Sequence, residues 1–455
     1  MSTQPARGMR DFLPVDVRRR DHVVGVVREV YERYGFEPLE TPAVENIETL
    51  LGKYGEEGNK LIFKILKRGE HESTGEADLA LRYDLTVPLA RVVAEHQAKL
   101  PRFFKRYQIQ PVWRADRPAR GRFREFYQCD VDVVGTTSPV AEADVFAAAS
   151  EVLSRLGFTA FTIRLNHRGL LAASLRWAGI EEAHQGQVLI GIDKLDKIGP
   201  EGVLEDLAAR GIDGAGPRKW LGAFGALDGS VPSGERVASL REILREERAA
   251  DAAFENLEAV LALIRGTAAD GHVLVDPCLA RGLSYYTGAI MEIAVADLPG
   301  SLGGGGRYDN LIGMFLGREV PAVGFSLGLE RILVVMSERK MFPDTIAGAA
   351  ADVMVTLWSA DRADDAIALA GLLRAAGLRV DVYPEADKIG KQFKYASSRG
   401  IAFVAVVGDD ERARGDVTIK NMKSGEQKAV ARGEAAAYLR RQASGADDGG
   451  VATHD

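Results

Sequence analysis

The sequence predicts an α+β fold in which an antiparallel sheet forms a large domain and a smaller α/β domain follows it. Aromatic and charged residues alternate along 104–116 and 124–135, which is typical of two paired strands with one buried face. Residues 168–255 carry a helical pattern with short turn-forming breaks, which indicates a helical insertion. Beyond Met341, apolar strands and helical segments alternate, as in a small and mostly parallel sheet.

Local patterns predict the elements of the large domain in chain order. A helical pattern over 15–34 ends at Gly35, and Pro38 and Pro42 then exclude a helix and predict extended chain. The next expected elements are an alternating segment at 61–66, a helix at 85–96, the strand pair around the loop 117–121, a helix at 140–156, and strands at 160–166, 272–275 and 289–295. The glycine cluster at 303–306 is either a turn or a place where a ligand approaches the backbone closely.

The same patterns predict the elements of the smaller domain and the boundaries between domains. Its expected elements are strands at 353–358, 378–384 and 401–408 and helices at 361–376 and 388–399. The predicted division is a core domain at 1–167 and 256–340, the insertion at 168–255, the smaller domain at 348–441 and a tail at 442–455. The tail is rich in glycine, alanine and aspartate, so we expect it to be disordered.

The composition excludes several classes of protein. The chain has 455 residues, of which 46% are hydrophobic and 27% charged, as in ordinary globular proteins rather than disordered or fibrous ones. Cys129 and Cys278 are too few for a disulfide framework and lack zinc-ligand spacing, so we expect no bound metal and a reducing, cytoplasmic location. Because no apolar run approaches the roughly 20 residues that span a bilayer, we expect no membrane segment.

A basic segment contrasts with the net charge of −7. Between Lys99 and Arg124, nine lysines and arginines accompany a single acid, Asp116. Such a run is often only a solvated surface. Aromatic residues interleave with these charges, however, so the arginines project from a rigid strand pair, which suits the recognition of phosphate groups.

Two common catalytic motifs do not explain the sequence. GFSLG at 324–328 matches the G-x-S-x-G nucleophile elbow of hydrolases, but the only histidine after Ser326 is His454, in the predicted tail. The sequence contains no G-x-x-x-x-G-K-[ST], so a Walker-type phosphate loop is absent. If the chain binds a nucleotide, arginines must hold its phosphates.

Four separated blocks resemble the histidyl-tRNA synthetases, which are class II aminoacyl-tRNA synthetases. They are RYDLTVPLAR at 82–91, WRADRPARGRFREFYQCDVDVVG at 113–135, LARGLSYYTG at 279–288 and GFSLGLERIL at 324–333. GFEPLETP at 35–42 is similar to the family's motif 1, whose final proline, Pro42 here, lies at the dimer interface. The resemblance covers essentially the whole chain and implies a class II catalytic domain followed by a C-terminal anticodon-binding domain.

The resemblance implies residues that bind ATP, which is accompanied by Mg²⁺ and needs no zinc. Arg114 in motif 2 and Arg281 match the family's arginines at the α-phosphate. Guanidinium groups suit this role because the two reactants, a carboxylate and a phosphate, are both anions. Arg331 in motif 3 resembles the arginine that stacks on adenine, and the motif 2 loop that meets the base and the outer phosphates carries Arg122, Phe123 and Arg124.

The resemblance also implies residues that bind histidine. Those expected to hold its α-amino group are Asp84, Thr86 and Gln128, and those expected to read its ring are Asp132 and Tyr286, with Tyr285 beside them. A carboxylate near an imidazole orients one tautomer and discriminates against analogues that lack the ring N–H.

Three positions allow more than one interpretation. Phe123 either stacks on adenine or is an ordinary apolar residue of a hairpin. Asp132, taken alone, fits an acid exposed at a strand end. Ser284 replaces the aspartate that the family usually has in R-G-L-D-Y-Y, and we interpret it as a tolerated support position.

The implied function is the formation of histidyl-adenylate from ATP and histidine, followed by transfer of the histidyl group to the 3′ end of tRNA(His). The expected enzyme is a homodimer. Lys388, Lys391 and Lys394 recur every three residues and predict a basic helix face, either solvated or in contact with the tRNA backbone. The alternative is a non-catalytic paralogue similar to the regulatory subunit of ATP phosphoribosyltransferase, a family without the anticodon-binding domain.

Overall fold

The computed structural model describes residues 3–67, 74–212, 214–225, 231–280, 285–296, 298 and 300–443. The chain divides into two compact units between Phe342 and Pro343. In the described part of the chain, no helix is both long enough and apolar enough to cross a membrane. The predicted tail lies outside the described residues from position 444 onward.

The large unit is built on an eight-stranded sheet. The described part of this unit has eleven strands, eight of which form that sheet: β1 (Glu37–Pro38), β2 (Val44–Asn46), β3 (Lys64–Leu66), β4 (Ala77–Leu81), β5 (Phe104–Trp113), β6 (Glu125–Val134), β7 (Thr162–His167), β8 (Val273–Val275), β9 (Ala289–Ala294), β10 (Gly303–Arg307) and β11 (Ala322–Gly328). The eight strands lie in the order β1-β5-β6-β11-β10-β9-β7-β8, and every pair is antiparallel except β1–β5 and β7–β8. The predicted antiparallel sheet and the hairpin β5–β6 are confirmed.

The described helices of the large unit include the three expected at 15–34, 85–96 and 140–156. In chain order, the described α-helices are α1 (Pro14–Arg33), α2 (Ile47–Leu50), α3 (Gly55–Lys60), α4 (Thr86–His96), α5 (Pro139–Arg155), α6 (Arg168–Trp177), α7 (Glu182–Ile192), α8 (Leu195–Ala208), α9 (Ala215–Phe224), α10 (Ser233–Ile243), α11 (Asp251–Leu263), α12 (Gly313–Leu316) and α13 (Leu329–Glu338). Helix α5 starts with a proline, and the Ser138 hydroxyl accepts a hydrogen bond from the Val140 amide. Gly35 ends the turn after α1 with a φ of 75°, a conformation that favours glycine.

The two faces of the eight-stranded sheet differ in polarity because side chains alternate along each strand. One face carries apolar residues such as Val131 of β6 and Phe325 of β11, which pack in one core with residues of α1, α5 and α13. The opposite face carries Gln128, Asp130 and Asp132 of β6, and Ser326 of β11 lies in register with Asp130. We call this second surface the polar face, and it carries the candidate site.

The stretch predicted as a helical insertion forms α6 to α11. Its last helix runs to Leu263, beyond the expected boundary at 255. Trp220 and Phe224 of α9 and Phe254 of α11 are buried in the same apolar core as the sheet. This stretch therefore packs against the eight-stranded sheet rather than forming a core of its own.

A second, three-stranded sheet in the order β2-β4-β3 lies in the large unit. Leu50 of α2 and Leu89 of α4 are fully buried in the core beside it. The sheet leaves apolar side chains exposed, among them Val44, Leu66 and Leu79. Each of the three strands therefore presents one of these apolar side chains to solvent.

The small unit contains a five-stranded sheet in the order β13-β12-β14-β15-β16. Its elements are β12 (Val353–Val355), α14 (Ala363–Ala375), β13 (Val380–Val382), α15 (Ile389–Ser398), β14 (Phe403–Val406), α16 (Asp409–Arg414), β15 (Asp416–Asn421), β16 (Gln427–Ala431) and α17 (Ala435–Ala443). Strands β13, β12 and β14 are parallel, but β15 and β16 pair antiparallel, so the sheet is mixed and not mostly parallel as expected. The sequence analysis did not identify β15 and β16.

The glycine cluster is a central strand, so its interpretation as a turn is wrong. Gly303–Arg307 is β10, paired on both sides. A Cβ at Gly305 would lie 2.2 Å from the Gly324 carbonyl oxygen, and one at Gly306 would lie 2.9 Å from the Tyr286 ring. Gly305 thus allows close packing of β10 and β11, while Gly306 makes room for a tyrosine of the candidate site.

Candidate active site

Asp84 lies at the start of α4 and is the centre of a hydrogen-bonded cluster. Its Oδ1 accepts hydrogen bonds from the Tyr54 hydroxyl and the Val87 amide, both at 3.0 Å. Its Oδ2 accepts one from the Tyr285 hydroxyl at 3.3 Å. Burial raises the pKa of this carboxyl, while these donors and Arg114 lower it. A fixed, buried carboxylate of this kind is a suitable acceptor for an ammonium group.

Arg114 follows β5, and its guanidinium is close enough to Asp84 to stabilise the charge of that carboxylate. Its Nε donates to the Tyr83 carbonyl at 3.0 Å, and the guanidinium lies 4.3 Å from the centre of the Tyr83 ring. Its terminal nitrogens make no hydrogen bond to the described residues. The arginine is thus held through Nε, while its two terminal nitrogens are available to bind an anion in a bidentate manner.

Gln128 and Ser326 connect β6 to β11 on the polar face. The Gln128 Nε2 donates to the Ser326 hydroxyl at 2.8 Å, which fixes the orientation of the amide. The Gln128 Oε1 is buried and makes no hydrogen bond to the described part of the chain. That oxygen is an acceptor ready for a ligand N–H.

Asp132 is buried, so its interpretation as an exposed acid at a strand end is wrong. Its Oδ1 accepts a short hydrogen bond from the Tyr308 hydroxyl, and its Oδ2 lies 2.9 Å from a terminal nitrogen of Arg106. Arg106 of β5 is itself completely buried and also donates to the Leu85 carbonyl. Asp132 therefore takes part in an internal ion pair that ties β5, β6 and the start of α4 together.

Asp130 stands between Gln128 and Asp132 on the same face of β6, and its Oδ1 makes no hydrogen bond to the described residues. Burial raises the pKa of Asp130 to about 7, and the Ser326 hydroxyl and Arg106 oppose that shift. Tyr286 lies nearby, since the charge of Asp130 contributes to raising the pKa of that tyrosine. The Tyr286 hydroxyl makes no hydrogen bond to the residues that the structure describes.

Thr86 and Tyr285 complete the histidine set expected from the sequence. Thr86 is the first residue of α4, and its side chain hydrogen-bonds to Tyr285. Burial raises the pKa of Tyr285, so its hydroxyl remains a hydrogen-bond donor. The structure brings this pair together with Asp84, whereas Arg281 and Ser284 lie outside the described residues.

The loop between β5 and β6 carries three of the expected ATP residues. Arg122 pairs with Asp116 at 2.8 Å, and the Arg124 Nε donates to the Asp116 carbonyl at 3.1 Å. The guanidinium of Arg10 covers the Phe123 ring at 4.2 Å from its centre. In this arrangement internal contacts hold the loop.

The expected motif 3 residues lie where β11 passes into α13. Arg331 donates to the Ser301 carbonyl, and its side chain packs against Gly121 of the β5–β6 loop. The preceding Glu330 is buried, and its Oε2 accepts a hydrogen bond from the Tyr127 amide at 2.9 Å. Burial raises the pKa of Glu330 to about 7. Arg331 thus contacts the loop of the motif 2 hairpin, to which Arg114 belongs.

The three lysines predicted as a basic helix face lie in the small unit. Lys388 immediately precedes α15, whereas Lys391 and Lys394 lie within it, and all three are exposed. Lys391 is paired with Asp387 at 2.8 Å, which reduces the positive charge of this face. A group of three or more potential metal ligands is not found among the described residues.

The comparisons with known proteins agree with this geometry. Residues 8–332 match the family model of histidyl-tRNA synthetase. A histidine–tRNA ligase of Porphyromonas gingivalis is 42% identical over 440 residues, which cover 92% of this chain and 95% of that protein. The chain belongs to the histidyl-tRNA synthetase family. It is therefore an aminoacyl-tRNA synthetase, as the sequence predicts, and its family activity is that of a histidine–tRNA ligase.

Other relatives extend the family assignment across the whole chain. Residues 352–442 match an anticodon-binding domain, which confirms the nature expected of the small unit. A histidine–tRNA ligase of Bacteroides fragilis is 40% identical over 94% of this chain and 98% of that protein. The crystal structure of histidyl-tRNA synthetase from Nostoc sp. PCC 7120 aligns with a TM-score of 0.79 at 32% identity, covering 97% of this chain and 100% of that one. The class II fold is confirmed, and no comparison favours the regulatory alternative.

Sequence reasoning missed several residues of the site. Asp130 shares the face of Gln128 and Asp132, so the two-residue period of a strand could have identified it. Arg106, Tyr54 and Tyr308 gave no such signal, because only the folded chain brings them to the site.

Proposed function

We propose that the polar face of the large unit forms histidyl-adenylate and that the described residues divide into an amino-acid side and a nucleotide side. The observation that carries the proposal is that hydrogen-bond acceptors and a positively charged donor group lie side by side, as the two substrates require. Asp84 and the buried Gln128 Oε1 offer acceptors. Beside Asp84, the terminal nitrogens of Arg114, which make no hydrogen bond to the described residues, offer donors. Histidine presents an ammonium group to the first set, and its carboxylate and the α-phosphate of ATP are the anions that the second set neutralises.

On the amino-acid side, Asp84 accepts from the α-ammonium group of histidine, with Thr86 and the Gln128 Oε1 as further partners. Tyr54 and Tyr285 hold the Asp84 carboxylate in place through their hydroxyl groups. Because this carboxylate is already ordered, binding the ammonium requires little reorganisation.

On the nucleotide side, Arg114 binds the α-phosphate, where charge increases as the carboxylate attacks. Arg281 joins it by family resemblance, and Arg331 stacks on adenine, with Arg122, Phe123 and Arg124 completing the pocket. Mg²⁺ accompanies ATP and neutralises part of its phosphate charge. Glu292, a buried carboxylate on the polar face of β9, fits such an ion, since Mg²⁺ is usually held by one or two carboxylates together with phosphates.

The same reaction needs a tRNA and a partner subunit. The exposed Lys388, Lys391 and Lys394 of the small unit contact the backbone of tRNA(His), whose 3′ end receives the histidyl group. The exposed apolar side chains of the three-stranded sheet support a homodimer, and Pro42 of motif 1, also exposed, precedes its first strand. We place the enzyme in the cytoplasm, where its tRNA substrate is found.

ATP–pyrophosphate exchange measured with each of the twenty amino acids tests the proposal. Exchange should occur with histidine alone, and charging of tRNA(His) should follow when the tRNA is added. A folded protein that catalyses no exchange, or that exchanges with another amino acid, would contradict it.

A further inference from the structure

The N-terminal segment, residues 6–12, precedes α1 and lies against the loop between β5 and β6. The Arg124 amide of the loop donates to the Gly8 carbonyl at 2.8 Å, and a terminal nitrogen of Arg124 lies 3.5 Å from the Arg7 carbonyl oxygen. Arg7 and Arg124 are 117 residues apart in the sequence. The beginning of the chain is therefore held by a long-range contact with a loop of the candidate active site.

Gly8 allows the N-terminal segment and the loop to approach each other closely. Its φ is 84°, in the left-handed region that favours glycine. A Cβ at Gly8 would lie 2.8 Å from the Arg124 Cγ and 2.9 Å from the Pro118 Cγ, both in the loop. A larger residue at this position would therefore strain the backbone and displace the segment from the loop.

Arg10 makes a second contact with the loop through its guanidinium, which lies close to two aromatic rings. The guanidinium carbon is 4.2 Å from the centre of the Phe123 ring and 4.4 Å from that of the Phe12 ring. Its Nε and one terminal nitrogen are buried and make no hydrogen bond to the described residues. Aromatic rings thus hold this charge, and a cation–π contact that is shielded from water is at the stronger end of its range.

Helix α13 holds a different part of the same loop. The Arg120 Nε donates to Glu338 at 3.0 Å, and a Cβ at Gly121 would lie 3.3 Å from the Arg331 Cγ. The N-terminal segment instead contacts Phe123 and Arg124, which immediately precede β6. The segment therefore supports the part of the loop that carries two of the residues assigned above to the nucleotide side.

We propose that Arg10 is a positioning residue for ATP binding, because it holds the Phe123 ring and so keeps the β5–β6 loop in the conformation that receives the nucleotide. The inference rests on the proposed function and adds the N-terminal segment to the nucleotide side of that site. Arg10 acts through Phe123 rather than by contact with the nucleotide. Since a loop that is already ordered loses less conformational entropy on binding, the loss of this support should weaken the binding of ATP and not that of histidine.

Pyrophosphate exchange by Arg10→Ala tests the proposal. The KM for ATP should rise by about three- to thirtyfold, which corresponds to the loss of one cation–π contact, while the KM for histidine and the kcat remain close to the wild-type values. Arg10→Lys should restore part of the affinity for ATP, because an ammonium group keeps the charge but lacks the flat guanidinium that covers a ring. Arg19→Ala is the matched control, since it removes the same charge and a cation–π contact with Phe342 that does not involve the loop.

Gly8→Ala is a second variant, in which Arg10 is retained but the N-terminal segment is displaced. It should raise the KM for ATP as Arg10→Ala does. Gly25→Ala, whose methyl group on α1 would meet no atom within 4 Å, should leave this KM unchanged. Trypsin digestion provides a measurement that does not depend on activity. Cleavage after the exposed Arg120 and Arg122 should be faster in Arg10→Ala and Gly8→Ala than in the wild-type protein and the two controls.

The inference is overturned if Arg10→Ala melts cooperatively and keeps the wild-type KM for ATP, or if its KM for histidine rises as much as that for ATP. Unchanged cleavage of the loop in both variants also overturns it. If Arg10→Ala does not melt cooperatively, Gly8→Ala decides by the same criteria. Failure of the wild-type protein to exchange with histidine would contradict the proposed function instead, and the trypsin comparison would still show whether Arg10 holds the loop.

Discussion

Arg114 is the described side chain on which the proposed chemistry depends most. Its Nε is held by the Tyr83 carbonyl, which aims the terminal nitrogens. Since charge increases on the α-phosphate only during attack, the guanidinium stabilises the transition state more than the ground state. Arg114→Ala should slow adenylate formation by about 10²–10³, or roughly 2.7–4 kcal/mol, in single-turnover experiments with saturating substrates.

Arg114→Lys should restore only part of this rate, because an ammonium group cannot make the planar bidentate contact that a guanidinium makes with a phosphate. Arg117→Ala is the matched control, since Arg117 belongs to the same basic segment and is exposed. A normal rate in a less stable Arg114→Ala protein would assign the residue a purely structural role.

The buried carboxyl group of Glu330 predicts how the free energy of unfolding depends on pH. Burial raises its pKa from 4.5 to about 7, so the folded state holds a proton that the unfolded state releases at lower pH. Its stabilising contribution is complete below pH 4.5 and is lost as the pH rises through about 7. In Glu330→Gln, which cannot ionise, this loss is absent.

Urea unfolding at several pH values measures the difference. Glu330→Gln and the wild-type protein should have similar stabilities near pH 4.5, and the variant should gain at most about 3 kcal/mol by pH 8. Asp130, whose pKa is also raised to about 7, keeps part of the pH dependence in both proteins. Glu338→Gln, at the exposed end of α13, should leave the profile between pH 5 and 8 unchanged, and a constant difference for Glu330→Gln would contradict the assignment.

At the scale of elements, β10 is a strand whose glycines allow its neighbours to approach. A methyl group at position 305 would lie 2.2 Å from the Gly324 carbonyl oxygen and 2.7 Å from the Phe325 Cα, both in β11. Backbone atoms of a central strand cannot move aside, so Gly305→Ala should destabilise the large unit by about 1–3 kcal/mol or more. Thermal unfolding measures this change.

Gly304→Ala is the matched control for Gly305→Ala, because its methyl group would have room on the polar face. Its melting temperature should remain close to that of the wild-type protein. Equal destabilisation by the two substitutions would mean that the strand is sensitive to any side chain, not to the close approach of β11.

At the scale of the whole molecule, the division between Phe342 and Pro343 predicts separable activities. Every described residue assigned to histidine or ATP lies in the large unit. A protein ending at residue 342 should therefore retain most of its histidine-dependent pyrophosphate exchange but charge tRNA(His) far more slowly. A truncated protein that is folded and yet inactive in exchange would contradict this modular interpretation.

The exposed apolar side chains of the three-stranded sheet predict that two copies of the chain associate through this surface. Leu79 is 36% exposed on β4, between β2 and β3. Leu79→Glu introduces a charge into the proposed dimer surface and should shift the protein from dimer to monomer in light scattering. Ile367→Glu is the control, because Ile367 is exposed on α14 of the small unit. An unchanged dimer in Leu79→Glu would place the subunit contact elsewhere.

The sequence by itself determined the hairpin β5–β6, the helices α1, α4 and α5, the family, and the residues of its motifs. These features are local, since each depends on a period, a proline, a cap or a short motif within one segment. Helix α5 is an example, because the capping residue Ser138 and the proline at position 139 together mark its first turn.

Only the tertiary structure decided which groups share a site and which of them are already paired. Arg106 precedes Asp132 by a full hairpin, and Tyr308 follows Asp132 by 176 residues, yet both contact the carboxylate that sequence reasoning assigned to the substrate. The glycines of β10 were equally ambiguous until their neighbours were known. Partners that are distant in sequence leave no periodic signal, because long-range contacts and burial arise only when the strands assemble.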